Sequence, residues 1–152
     1  MSRSNWAAAL TLTALAGCAP MEHGFGSAEA RSPRNVTVNV VKGEITVPEG
    51  VVDLFANNGA IRWTFGSNPD GYIFPRGGIK FDPNPPAAPA GCTSTPNPAT
   101  VFPNCMPLPG GEVFQCVKTG QPAIGACFKY DIRVELPGGG SPLKLDPWVK
   151  VK

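Results

Sequence analysis

From Asn35 onward the chain alternates between apolar and polar positions. In NVTVNVVK, Val36, Val38 and Val40 share one side while Thr37 and Asn39 take the other, the period of two expected of a half-buried strand. EITVPEG follows, with Ile45 and Val47 together. VVDLFA and AIRWTF flank Asn57-Asn58-Gly59, and Asn58-Gly59 predicts a two-residue hairpin because both residues tolerate positive φ. In the second arm Ile61, Trp63 and Phe65 point one way, Arg62 and Thr64 the other. A turn at NPDG (68–71) precedes YIF, and IKF (79–81) follows a Gly-Gly step. The clearest alternation is FKYDIRVEL, where Phe128, Tyr130, Ile132 and Val134 interleave with Lys129, Asp131, Arg133 and Glu135. After the PGGGSP loop, LDPWVKVK places Val149 and Val151 on one face. No ten consecutive residues of this region keep a helical period. About eight short strands across roughly 118 residues predict one all-β domain, 35–152, built as a single antiparallel β-sandwich or barrel and large enough to bury a core.

One stretch breaks the rhythm. Residues 82–111 hold nine prolines and two cysteines. Proline lacks the N–H that a central strand must donate, so this region reads as a long loop, and loops of such length inside a compact domain are commonly functional.

The first residues follow a different pattern. Arg3 is followed by an uncharged run, AAALTLTALAG, before Cys18. A basic head, an apolar stretch and small residues before a cut point make a secretory signal peptide; the run is shorter than the roughly 20 residues that a membrane-spanning helix needs. Leu15-Ala16-Gly17-Cys18 resembles the lipobox of bacterial lipoproteins. That resemblance implies cleavage before Cys18, a diacylglycerol on its thiol and an acyl chain on its new amino group. Ala19 in the next position implies transfer to the outer membrane of a two-membrane envelope; the expected location is the outer membrane, facing the periplasm. Residues 1–17 are then the leader and 18–34, small and polar, a flexible tether. The competing reading is an ordinary leader cut elsewhere.

Cysteine parity agrees with lipidation. Five cysteines are odd for an exported chain; using Cys18 for lipid leaves Cys92, Cys105, Cys116 and Cys127 to oxidise outside the cytoplasm. Three pairings are possible. Cys92–Cys105 with Cys116–Cys127 is the favoured expectation, since neighbours in sequence close most easily and each pair brackets a Gly/Pro-rich loop. None of the gaps has the short spacing of a zinc site or a redox C-x-x-C.

The order of pieces — a Val-rich first strand, ITVPEG, an I-x-W strand and the late FQC and FKYDIRV strands — resembles cupredoxin-like and immunoglobulin-like β-sandwiches, which implies a Greek-key arrangement. The tail, YDIRV followed by LDPWVKV, is similar to that of small proteobacterial envelope proteins. A working cupredoxin binds copper through two His, a Cys and usually a Met. Here the one histidine, His23, falls in the tether and Met106 is isolated in the proline-rich loop, so no metal or other cofactor is expected.

The formal charge is +2 with no basic block, which speaks against nucleic acid as a partner. A histidine-dependent nucleophile has no histidine in the domain, and no phosphate-binding or nucleophile-elbow motif occurs. Asp70 and Asp82 are the only candidates for paired carboxylate chemistry, yet they, like Asp53 and Asp146, read better as turn or strand-edge residues. The chain is therefore expected not to be an enzyme. Trp63, Phe65, Tyr72, Phe74 and Phe81 cluster in sequence and read as core more than as a binding face; Trp148, alternating with Lys150 and Lys152, is the single candidate contact residue. The leading expectation is a lipid-anchored envelope protein that binds another envelope protein or a cell-wall component through its loops. A structural accessory subunit of an envelope assembly is the alternative, and an enzyme with an unrecognised site comes last.

Overall fold

The computed structural model describes residues 31–152. The leader, Cys18 and His23 lie outside them, as does all of the tether except its last four positions.

Ten strands occur among the described residues: β1 (Arg34–Val41), β2 (Glu44–Thr46), β3 (Val51–Leu54), β4 (Ala60–Phe65), β5 (Ile79–Phe81), β6 (Asn104–Pro107), β7 (Val113–Val117), β8 (Cys127–Val134), β9 (Leu143–Leu145) and β10 (Trp148–Val151). The one helical piece among the described residues is a 3-10 turn at Pro98–Thr100, opened by Asn97, whose side chain accepts from the Ala99 N–H. The strands form two sheets, ordered β2-β1-β4-β7-β6 and β3-β10-β8-β5, with β9 also paired to β8.

Both sheets are mixed, which corrects the expectation of a purely antiparallel fold. β1 runs parallel to β4, from Arg34 opposite Ile61 to Val38 opposite Phe65. β3 runs parallel to β10, from Val51 opposite Trp148 to Val151 opposite Leu54. The Asn58-Gly59 hairpin is likewise corrected. β3 and β4 belong to different sheets, and residues 55–59 cross from one to the other. Neither Asn58 nor Gly59 has positive φ. The Asn58 carboxamide instead accepts from the Phe55 N–H and donates to the Ser32 carbonyl, so it ties the crossover to the entering chain. Gly59 is required for a different reason: a Cβ there would lie 2.9 Å from the Cβ of Arg31. The hairpin that does carry two positive-φ residues joins β1 to β2 through Lys42 (φ 53°) and Gly43 (φ 77°).

The alternation read from the sequence matches the burial. Val36, Val38, Val40, Ile61, Trp63, Phe128, Tyr130, Ile132, Val134, Val149 and Val151 all lie in the core. Trp63 joins the two sheets: its ring lies 5.4 Å from Tyr130 on β8, 6.3 Å edge-on to Phe81 on β5 and 6.4 Å edge-on to Phe114 on its own sheet. β9 and β10 pair with β8 in one continuous register, with Asp146-Pro147 between them, so the end of the chain lies along β8 as a single interrupted strand.

Candidate interaction surface

The proline-rich stretch is the feature that the strand rhythm does not explain. No charged side chain occurs from Pro83 to Gly111. Its last part is not loop: Asn104–Pro107 forms β6, an edge strand, where Pro107 can sit because its missing N–H faces no further partner. The remainder, 82–103, is fastened at its start and again from Cys92 onward. The Asp82 N–H donates to the Lys129 carbonyl at 3.0 Å, Thr93 N–H to Gly125 at 2.9 Å, and Cys127 N–H to Ser94 at 2.8 Å.

The disulfides differ from the favoured pairing. They are Cys92–Cys127, with Cα atoms 5.7 Å apart, and Cys105–Cys116, with Cα atoms 4.1 Å apart. The reason is sheet register. β6 pairs with β7 so that Cys105 stands directly opposite Cys116, and a cross-strand partner is closer than any sequence neighbour across a proline-rich turn. Cys127 opens β8 beside Ser94, within reach of Cys92. The region is therefore not bridged to itself. Each of its cysteines is bonded outward to a core strand.

This arrangement gives the loop an inner and an outer side. Pro98, Val101 and Phe102 are buried, and Phe102 stacks on Phe81 with centroids 4.4 Å apart. Pro86, Ala87, Ala88, Ala90, Thr95 and Asn97 are exposed on the outer side. The inner residues close one side of the core, and the outer ones form a neutral surface.

At the far end of the fold a cleft of about 450 Å³ opens between the turn after β4 and the turn before β7. Thr64, Phe65, Asn68, Tyr72, Ile73 and Glu112 line it. Asn68 shapes one wall by donating to the Tyr72 carbonyl at 2.7 Å and accepting from the Tyr72 N–H at 2.9 Å. The five clustered aromatics thus divide: Trp63, Phe74 and Phe81 are core, whereas Phe65 and Tyr72 are half-buried at this cleft. Phe65 stacks on Phe74 at 4.4 Å, which fixes its plane. Glu112 has no counterpart in the sequence reading, because only the approach of the 110–113 turn brings it here.

The other singled-out residues are dispersed. Asp70 sits in the turn after β4. Asp82 accepts from the Asn84 N–H at 2.9 Å and lines a separate shallow depression with Lys80, Phe81, Pro83 and Asp131, so the two carboxylates are not brought together. Asp53 faces Lys152, and Asp146 faces Lys129. Partial burial raises the Asp131 carboxyl above its ordinary value; the adjoining Asp146, by hydrogen bond and by charge, raises it further, Lys129 opposes this, and Asp82 adds to it. Trp148 is half-buried between β3 and β8 with the Lys129 ammonium 5.9 Å above its ring. Lys118 is 8% exposed, and its Nζ donates to the carbonyls of Phe55 (3.4 Å) and Ala56 (2.8 Å). Burial, with Arg31 nearby, lowers its pKa. No group of three His, Cys, Asp or Glu side chains gathers to hold a metal among the described residues. No protein-family model matches the chain, and no curated protein sequence matches it.

Proposed function

We propose that this chain is a lipid-anchored bacterial envelope protein whose β domain is a non-catalytic interaction module. The lipid sits on Cys18, the protein belongs to the outer membrane facing the periplasm, and the domain is a cupredoxin-like or immunoglobulin-like sandwich without copper ligands. The anchor rests on Leu15-Ala16-Gly17-Cys18 and on parity: the other four cysteines are all consumed in two disulfides, which suits an oxidising compartment. The observation that carries the interaction reading is the outer side of residues 82–103. An uncharged surface anchored at Asp82 and, from Cys92 onward, by hydrogen bonds and a disulfide loses less conformational entropy when a partner covers it than a loop free over its whole length. That partner is an envelope protein or a cell-wall component.

Intact mass of the membrane-extracted protein before and after reduction reads the anchor directly. The expected result is a chain beginning at Cys18 with lipid attached, gaining the mass of four hydrogen atoms on reduction. Crosslinking and pull-down from solubilised envelope then test the module. Charges introduced at Ala87, Ala88 and Ala90 should remove a specific partner, while Pro98, Val101 and Phe102 stay untouched so that the core remains closed. An unchanged partner set would refute the assignment to this surface.

A further inference from the structure

The described chain begins at one end of the fold, and that end differs from the rest of the surface. The Ser32 carbonyl accepts from the Gly59 N–H at 3.3 Å, so the entering chain lies on the 55–59 crossover. Lys118 ties the same crossover to the β7–β8 connection through Phe55 and Ala56. The last strand joins them: Lys152 N–H donates to Leu54 at 3.0 Å and Gly125 N–H donates to Val151 at 2.9 Å. Residues 31–33, 55–59, 117–125 and 152 thus form one continuous end, bordered by residues 93–101, which are fastened to it through Thr93 to Gly125 and Thr119 to Val101.

Three large apolar side chains are exposed there, and Phe55 (47%) and Ile124 (76%) are more so than Val117 (37%). The cations at this end are Arg31, Lys118 and Lys152. None of the three connecting segments contains an acidic residue, and Asp53, within β3, is paired with Lys152 at 3.6 Å. Glu44, Asp70, Glu112 and Glu135 all lie at or beside the turns of the opposite end. The two acids nearest this end, Asp53 and Glu49, are each paired with a cation, Lys152 and Arg34; apolar tips beside Arg31, with no unpaired acidic side chain near them, match the boundary between anionic headgroups and acyl chains.

We propose that this end seats on the bilayer: Phe55 and Ile124 enter the headgroup boundary of an anionic leaflet, and Arg31 and Lys152 face its phosphates. The proposal rests on the lipid-anchor reading, since the 13 residue steps from Cys18 to Arg31 hold this end within at most about 45 Å of the membrane. Held this close, a weak surface contact becomes effectively intramolecular. The domain would then present its far-end cleft to the periplasm.

Tryptophan probes in the full lipidated chain test this in vesicles of phosphatidylethanolamine and phosphatidylglycerol whose acyl chains carry bromine near the headgroup. Phe55→Trp and, separately, Ile124→Trp should lose most of their added emission. Tyr72→Trp, at the opposite end, should keep it, as should the native Trp63 and Trp148. Arg31→Glu with Lys152→Glu should restore much of the Phe55→Trp emission, and so should neutral phosphatidylcholine vesicles. Intact mass of the same samples reports the lipid independently. Lipidated protein with both end probes unquenched, or with Tyr72→Trp quenched as strongly as they are, overturns the seating while leaving the anchor standing. An unlipidated mass overturns the anchor, and the seating falls with it.

Discussion

At the scale of single residues, two positions show how local conformation and charge set stability. Lys42 adopts φ 53° in the β1–β2 turn, a conformation that costs a residue with an ordinary Cβ but suits asparagine. Lys42→Asn should therefore stabilise the fold by about 0.5–1 kcal/mol, read as a higher midpoint in denaturant with unchanged slope. Asp131 offers a pH signature. Its carboxyl binds a proton more tightly in the folded chain than in the unfolded one, so folding stability falls as pH rises from the ordinary aspartate value through the raised one. Asp131→Asn should raise the melting temperature at pH 7, and the advantage should vanish below about pH 4, where both forms are neutral. A difference that persists into acid would refute that origin.

At the scale of elements, faces were legible in the sequence and partners were not. Alternation in FKYDIRV or NVTVNVV reports which side of a strand is apolar, and a period of two survives whichever strand lies alongside. Pairing depends on contacts between distant segments. Asn58-Gly59 carries the residues of a tight hairpin, yet VVDL finds the C-terminal strand and AIRWTF finds β1, and both bury their apolar faces in the core there. The cysteines behave similarly. Register placed Cys105 opposite Cys116, and spacing along the chain held no record of it. Of the candidate surface, the long neutral stretch was visible as composition; its division into a buried and an exposed side was not, because Val101 and Phe102 look no different in sequence from any apolar pair in a loop. The two bridges should also differ in weight. Their sequence separations are 35 and 11, so the chain-entropy model assigns about 4 kcal/mol to Cys92–Cys127 and about 3 kcal/mol to Cys105–Cys116. Replacing each pair with serine and comparing denaturation midpoints checks the order; a larger loss from the shorter bridge would show that rigidity of the edge strand outweighs loop closure.

At the scale of the whole molecule, the second sheet is closed by its last strand. β10 lies between β3 and β8, and Val149 and Val151 are buried beneath it. Its parallel pairing with β3 joins residues nearly a hundred positions apart, Val51 with Trp148. Contacts of this range form only after much of the intervening chain is ordered, which places such folds among the slower ones, in milliseconds to seconds. Loss of β10 would strip one side of β8 over Cys127–Lys129, leave β3 with no partner in the sheet, and uncover Val52, Leu54 and Phe128 together. Truncation after Pro147 is therefore expected to abolish the cooperative thermal transition and the near-ultraviolet signal of the packed Trp63 and Tyr130, even with both disulfides formed. Val149→Ala, which keeps every backbone hydrogen bond, should cost only about 2 kcal/mol and leave the transition cooperative. If the truncated chain melted as sharply as the intact one, β3 would have found another partner, and the parallel closure would not be what holds the second sheet together.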